Sequence, residues 1–171
     1  NSHEIVAEEC RAIREGVALL DITGFSRFEV TGENSQAWLN QIFATKLPKP
    51  GRARLGVMLS FSGKLKGDLT LLNWGDGTYW IMGSYYLRAW HLRWFNEQLR
   101  DGVSIRDLGD EICGFALIGP KSHSVLEKVA EEDVSNLRFM DCKRLDIGLV
   151  RSHVARMSVT GETGFEINCN M

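Results

Sequence analysis

The sequence predicts an α+β fold with mostly antiparallel sheets and packed helices. Short runs that alternate apolar and polar residues predict strands, and short links between several of these runs predict hairpins. Apolar residues at spacings of three and four predict helices in other segments. The two kinds of segment are interspersed along the 171 residues, without the regular strand and helix alternation of a parallel sheet.

The composition excludes several classes of protein. The formal net charge of −2 gives no electrostatic footprint for nucleic acid or an anionic membrane. No apolar run reaches the length of a membrane span. The four cysteines are widely spaced and lack any C-x-x-C pair, so we expect reduced thiols and no metal site. We expect a location in the cytoplasm, or in the mitochondrial matrix if the source is eukaryotic.

The first half of the chain begins with a helix, predicted from apolar residues that step by four and three from Val6 to Leu20. A strand follows at residues 26–32. The next segment, at residues 33–43, starts with cap-forming residues and predicts a second helix. The residues expected on the buried face of that helix are Ala37, Trp38, Gln41 and Ile42.

Three consecutive strands are predicted next, at residues 53–61, 65–73 and 78–83. Their short links make them antiparallel neighbours. A third helix follows, with large apolar side chains at helical spacing. Core packing explains that stripe better than a binding surface. The residues of the stripe are Leu87, Trp90, His91, Trp94 and Phe95.

The second half of the chain predicts two strands, a helix whose start is marked by Pro120, and then three more strands. The last strand, at residues 165–170, has no partner after it. We therefore expect an exposed edge that favours self-association, and a fold that is incomplete at its C-terminus. The chain reads as one domain, residues 1–171, with two subdomains formed by residues 1–50 plus 110–171 and by residues 51–109.

Asp68 is the first candidate functional residue, because a carboxylate is unusual in the middle of a strand. A period of two places Leu65, Gly67 and Leu69 on one face and Asp68 on the other. If that second face is solvent, Asp68 is an ordinary exposed acid. If it borders a cleft, Asp68 is a base or an electrostatic anchor. Gly67 indicates a bulge or a close approach of backbone or ligand.

Glu166 is the second candidate. It follows the turn "TGETG" and lies inside the last strand, between Phe165 and Ile167. The alternation of its neighbours is compatible with an outward-facing strand residue. The functional alternative is a planar acceptor, since one carboxylate can accept two parallel N–H bonds from an amidine-like heterocycle.

The order of several motifs resembles the aminomethyltransferase family, which includes the T-protein of the glycine cleavage system. The segments that carry the resemblance are "GVALLDITGFSRFEVTGENSQAWLNQIF", "GKLKGDLTLL", "GFALIGPKSHSVLEKV" and "ARMSVTGETGFEI". Two others, "HLRWFNEQL" and "DVSNLRFMDCKRLDIGLV", are more similar to the folate-binding C-terminal region of dimethylglycine and sarcosine dehydrogenases. The resemblance extends from about Glu9 to the end of the chain.

The resemblance implies tetrahydrofolate-dependent transfer of a one-carbon unit, aminomethyl or methyl, from an N-methyl substrate. It implies that Asp68 acts as the catalytic acid or base near the folate amine nitrogens, and that Glu166 holds the pterin ring. It also places Met58, Val159 and Thr160 in the folate site. The family's motif commonly has two adjacent acids where this chain has "GD", and an aromatic residue where Val159 stands.

The dehydrogenase branch carries FAD in a separate domain, which this sequence does not contain. The resemblance therefore implies a flavin dehydrogenase domain as a partner, alongside self-association. One alternative is a non-catalytic module of this fold that binds folate or a protein partner. Another keeps the folate and changes the methyl donor to a sulfonium compound or an aromatic methyl ether.

Overall fold

The computed structural model describes all 171 residues and confirms the α+β fold with two antiparallel sheets. The helices are α1 (Ser2–Glu15), α2 (Ser35–Ile42), α3 (Arg88–Glu97) and α4 (Ser122–Val129), and a 3-10 turn, Tyr85–Leu87, precedes α3. The strands are β1 (Ala18–Asp21), β2 (Ser26–Thr31), β3 (Arg52–Leu59), β4 (Leu65–Asn73), β5 (Tyr79–Gly83), β6 (Ser104–Asp107), β7 (Ile112–Ile118), β8 (Cys142–Ile147), β9 (Val150–Ala155) and β10 (Gly164–Asn170). None of the helices has the length and apolar character needed to cross a membrane.

The chain forms two compact units. A discontinuous unit contains residues 1–23 and 112–171, and a contiguous unit contains residues 24–111. The sequence places the first division near residue 50, whereas the structure places it after Thr23. The reason is that β2 pairs with β5 and β6, which binds residues 24–50 to the contiguous unit.

The discontinuous unit contains a five-stranded sheet in the order β1-β7-β10-β9-β8. One face of the sheet carries an apolar core that includes Leu126 of α4 and Phe165 of β10. Strand β10 pairs with both β7 and β9. The expectation of an exposed edge at β10 is therefore wrong, because both partner strands precede β10 in the sequence.

The contiguous unit contains the second sheet, in the order β3-β4-β5-β2-β6. The predicted run of three antiparallel strands is present as β3, β4 and β5. Helices α2 and α3 contribute to a core in which the ring of Phe95 makes edge contacts with Phe28 and Trp38. The expected core role of α3 is confirmed for His91 and Phe95, its buried residues. Leu87 lies in the preceding 3-10 turn and is 44% exposed, so it does not belong to that core face.

Helices α1 and α2 differ from expectation. Helix α1 ends at Glu15, and Leu20 lies in strand β1. Val6 is 51% exposed, and no residue of α1 is fully buried. In α2 the buried positions are Ser35, Trp38, Leu39 and Ile42, so Ala37 and Gln41 do not belong to that face.

Candidate functional site

Strand β4 contains a bulge two residues before Asp68. Met58 of β3 lies opposite Gly67, and the next residue of β3, Leu59, lies opposite Leu65. Lys66 is therefore the extra residue of β4. The bulge that Gly67 indicates in the sequence is thus confirmed.

The bulge changes which side chains share a face. Leu65 is 65% exposed, in contrast to the buried Leu69 that the alternation groups with it. The Lys66 ammonium lies 3.7 Å from the ring centroid of Trp94 and 4.7 Å from that of Trp90. These are cation–π contacts with α3.

Asp68 is exposed and lies opposite Val57 on β3. Farther along the same face of the sheet, Leu72, Trp80 and Met82 are buried. The face is thus neither open solvent throughout nor a closed core. Asp68 stands at its open end, where its carboxylate is accessible to a dissolved molecule.

Gly67 makes room for a histidine ring. A Cβ at residue 67 would lie 2.8 Å from Nε2 of His91 and 3.1 Å from the terminal methyl group of Met58. An acid at this position would collide with the same ring, which explains why the motif has a glycine here. The space beside Gly67 is filled by the protein, on the face opposite to Asp68.

The His91 ring is buried at 1% exposure, and neither ring nitrogen has a hydrogen-bond partner. It stacks on Phe95 with a centroid distance of 6.2 Å. Burial lowers the pKa of His91 below its usual value, and the negative charge of Asp68 opposes part of that change. The ring is therefore neutral at pH 7. The sequence places His91 on the core face of α3 but gives no indication that it packs against the strand of Asp68.

Met58 is fully buried in the core of the contiguous unit. Because it lies opposite Gly67, it is on the other face of the sheet from Asp68. The structure thus separates two of the residues that the resemblance assigns to one site. A folate contact of Met58 stays a prediction, and in this structure its side chain serves the core.

Glu166 lies in the central strand of the other sheet and is only 7% exposed. The residues directly opposite it are Ala116 on β7 and Ala155 on β9. The alternative of an outward-facing residue is therefore wrong, because this face is also buried. The side chains directly opposite Glu166 on both neighbouring strands are methyl groups.

A polar row of side chains adjoins Glu166 on the same face. Asn168 is fully buried and lies opposite His153, which in turn lies opposite Arg144. The Arg144 Nε donates to His153 Nε2 over 2.9 Å. Sequence reasoning missed this row, although the period of two from Glu166 to Asn168 indicates a shared face.

The turn before β10 holds two of the predicted folate residues. Val159 is 80% exposed, and the Thr160 hydroxyl accepts the backbone N–H of Glu162 at 3.4 Å. The carboxylate of Glu162 forms an ion pair with Arg14 at 2.7 Å, which fastens α1 to the turn.

A groove of about 420 Å³ runs beside this turn. Its lining residues are Phe139, Arg156, Met157, Ser158, Gly161, Glu162, Thr163 and Gly164. Glu166, Val159 and Thr160 are thus all in the turn and strand next to this groove, but none of them lines it. No group of three or more histidine, cysteine, aspartate or glutamate residues lies close enough to hold a metal ion.

The whole chain, residues 1–171, matches the family model described as the GCVT N-terminal domain. It is 29% identical to human mitochondrial dimethylglycine dehydrogenase, over 98% of this chain and 20% of that protein. It is 30% identical to the aminomethyltransferase of Bacillus licheniformis, over 96% of this chain and 46% of that protein. The chain thus spans less than half the length of these curated relatives.

Two solved structures have a similar fold. The glycine cleavage system aminomethyltransferase T of Bartonella henselae superposes with a TM-score of 0.85 at 21% identity, over 96% of this chain and 45% of that one. A chain of the heterotetrameric sarcosine oxidase of Corynebacterium sp. U-96, in complex with pyrrole 2-carboxylate, superposes with a TM-score of 0.70 at 17% identity. That match covers 99% of this chain and 84% of the other.

Proposed function

Because the chain belongs to the family of the GCVT N-terminal domain, we propose that it takes part in tetrahydrofolate-dependent transfer of a one-carbon unit. The observation that carries the proposal is the position of Glu166, a carboxylate buried in the centre of a sheet between two alanines. Burial of a carboxylate costs free energy, which hydrogen bonds to it offset. Binding the pterin ring of a folate is the task we assign to it.

The chemistry of Glu166 fits this task. The aminopyrimidinone ring of a reduced folate carries a ring N–H and an exocyclic amine on one edge, and a carboxylate can accept both in parallel. A central strand fixes the backbone of Glu166 from both sides, which reduces the entropy lost on binding. The residues directly opposite Glu166, Ala116 and Ala155, have small side chains.

We assign the acid–base step to Asp68. Its exposed carboxylate can accept a proton from an amine that attacks the one-carbon unit. It can also stabilise the positive charge of an iminium ion or of a protonated folate. Its place at the open end of a largely buried face allows a bound ligand to remove it from water.

For the one-carbon donor we propose an N-methyl amine of the dimethylglycine or sarcosine type. The similarity to dimethylglycine dehydrogenase over nearly the whole chain supports this choice. A flavin dehydrogenase domain or subunit, carrying FAD, would then be the partner that oxidises the N-methyl group. The cytoplasm or the mitochondrial matrix is the compartment that we propose, the latter in view of the mitochondrial relative.

The test of folate binding is a calorimetric titration of the protein with tetrahydrofolate. We expect Glu166→Gln to weaken binding by about 100-fold, because the amide offers one acceptor in place of two and loses the charge-assisted bonds, each worth roughly 1.5–3 kcal/mol. The matched control is Glu131→Gln, an exposed glutamate of the same unit, which should leave the affinity unchanged. Equal affinities of wild type and Glu166→Gln would refute the assignment of the pterin site.

A second candidate function is a binding module without catalysis. The observation that favours it is Val159, which is exposed where the family commonly has an aromatic residue. Such a module would bind tetrahydrofolate through Glu166. Its folate product would form at the same rate with and without the Asp68 carboxylate.

A further inference from the structure

Two cysteines of the discontinuous unit face each other across neighbouring strands. Cys113 of β7 lies directly opposite Cys169 of β10, and their sulfur atoms are 3.2 Å apart. The Cys113 sulfur also lies 3.5 Å from the backbone oxygen of Cys169. Both are free thiols, and both side chains are partly exposed.

The backbone at this position suits a covalent link. Residues directly opposite on antiparallel strands have Cα atoms about 4.5–5.5 Å apart, and disulfides span Cα separations of roughly 4.4–6.8 Å. The bond would therefore need a small rotation of the two side chains and no shift of the strands. We propose that Cys113 and Cys169 form a reversible cross-strand disulfide when the protein meets a low-molecular-weight disulfide.

The other two cysteines lack this arrangement. Cys10 is exposed on α1, and Cys142 is buried in β8 opposite Ala155. The structure thus selects one pair among four thiols. The sequence alone did not, because the two cysteines are 56 residues apart in the chain and meet only through the pairing of β7 with β10.

The reaction is a thiol–disulfide exchange in two steps. The thiolate of one cysteine attacks a sulfur of the small disulfide, the S–S bond of that molecule breaks, and its first thiol leaves. The second protein thiolate then attacks the mixed disulfide and displaces the second thiol. The two protons of the protein thiols end on the two released thiols, so the protein is oxidised and the small disulfide is reduced.

The surroundings of the pair control its rate. Burial, together with the neighbouring Cys113 thiol, raises the pKa of Cys169 to about 11. Since the thiolate is the attacking species, the pair should react slowly at neutral pH and faster as the pH rises. A slow pair of this kind responds to a sustained change in redox conditions.

The bond would act on the sheet that carries Glu166, from its other face. Cys169 is three residues from Glu166, so their side chains point to opposite faces of β10. The link would close a long loop that contains α4, β8 and β9. A cross-link over a long loop restricts the unfolded chain, and the folded protein becomes more stable. This inference does not depend on the proposed folate function.

The experiment is incubation of the protein with oxidised glutathione at pH 8, followed by alkylation of the remaining thiols in denaturant and peptide mapping by mass spectrometry. We expect a linked peptide pair that contains Cys113 and Cys169, with Cys142 alkylated and the exposed Cys10 either alkylated or bound to glutathione, but not linked to another cysteine of the chain. The oxidised protein should unfold at a higher temperature than the reduced protein, and dithiothreitol should reverse both results.

Cys113→Ser and Cys169→Ser are the variants, and Cys10→Ser is the matched control that keeps the pair. Each of the two variants should stop at the mixed disulfide with glutathione and show no rise in unfolding temperature. The peptide map of the wild type decides the matter even if a variant fails to fold. Full alkylation of Cys113 and Cys169 after prolonged incubation, or pairing of either with Cys10, would overturn the proposal.

Discussion

Strands β4 and β10 each carry one carboxylate in mid-strand, and the two carboxylates differ in their burial. Glu166 is buried between two alanines in the centre of its sheet. Asp68 is exposed, beside a bulge and opposite Val57. A glycine lies close before each of them, Gly164 in β10 and Gly67 in β4.

The difference in burial suits the two carboxylates to different chemistry. A buried carboxylate on a rigid strand suits recognition, because its hydrogen bonds are strong and its position is fixed. An exposed carboxylate suits proton transfer, because it can exchange protons with solvent between turnovers. The comparison therefore predicts that Glu166 and Asp68 fail in different ways when they are changed.

The largest expected effect is the loss of turnover in Asp68→Asn. The amide keeps the size of the side chain and cannot accept a proton, so turnover should fall by about 10²–10⁴-fold. The dissociation constant for tetrahydrofolate should change by less than about threefold, since a base matters mainly in the transition state. Steady-state kinetics and the folate titration together measure the two effects.

The matched control for this experiment is Asp101→Asn, an exposed aspartate of the same unit, which should leave turnover and affinity as in the wild type. A loss of affinity in Asp68→Asn as large as its loss of turnover would show that both carboxylates serve recognition.

The next largest expected effect is a loss of stability when Gly164 or Gly67 is replaced by alanine. A Cβ at residue 164 would lie 2.6 Å from the backbone oxygen of Met157, whereas a Cβ at residue 67 would meet the side chains of His91 and Met58. The backbone can shift less than a side chain to relieve such a contact. We expect Gly164→Ala to destabilise by about 3 kcal/mol and Gly67→Ala by about 1–2 kcal/mol.

Urea denaturation followed by circular dichroism measures both changes as shifts of the midpoint. Gly24→Ala is the control, because a Cβ there would have no atom within 4 Å, and its effect should stay below about 0.5 kcal/mol. Equal stability of Gly67→Ala and wild type would show that the His91 ring moves aside easily.

The smallest predicted effect is the pH dependence caused by His91. Its pKa in the folded protein is lowered by burial, so below about pH 6.5 the unfolded chain binds a proton more readily than the folded protein. The contribution of neutral His91 to the stability of the folded protein is complete above that pH and is lost as the pH falls. Stability should decrease on acidification by up to about 1.4 kcal/mol per pH unit.

The measurement is urea denaturation between pH 7 and pH 5, with His91→Gln and with His3→Gln as the exposed control. The wild type and His3→Gln should share the steeper decrease, and His91→Gln should have a shallower one. Parallel curves for all three proteins would show that His91 can be protonated without unfolding.

Local pattern predicted most of the elements but failed where tertiary structure decides. The apolar spacing from Val6 to Leu20 does not reveal that the helix ends at Glu15, because Leu20 joins a sheet with residues nearly a hundred positions later. The burial of Glu166 and the central place of β10 depend on the pairing of β10 with β7 and β9. For Gly67 the pattern predicted a bulge or a close approach of another group, while the identity of that group, the His91 ring, required the packing of α3 on β4.

The order of the two units along the chain has a consequence for biosynthesis. Every strand of the contiguous unit has been made by residue 111, so its sheet can assemble while the ribosome is still translating. The other sheet needs β10 between β7 and β9, which keeps it unfinished until β10 emerges. Until then β7 and β9 each lack a neighbour, and we expect chaperone contacts on the nascent chain to concentrate there.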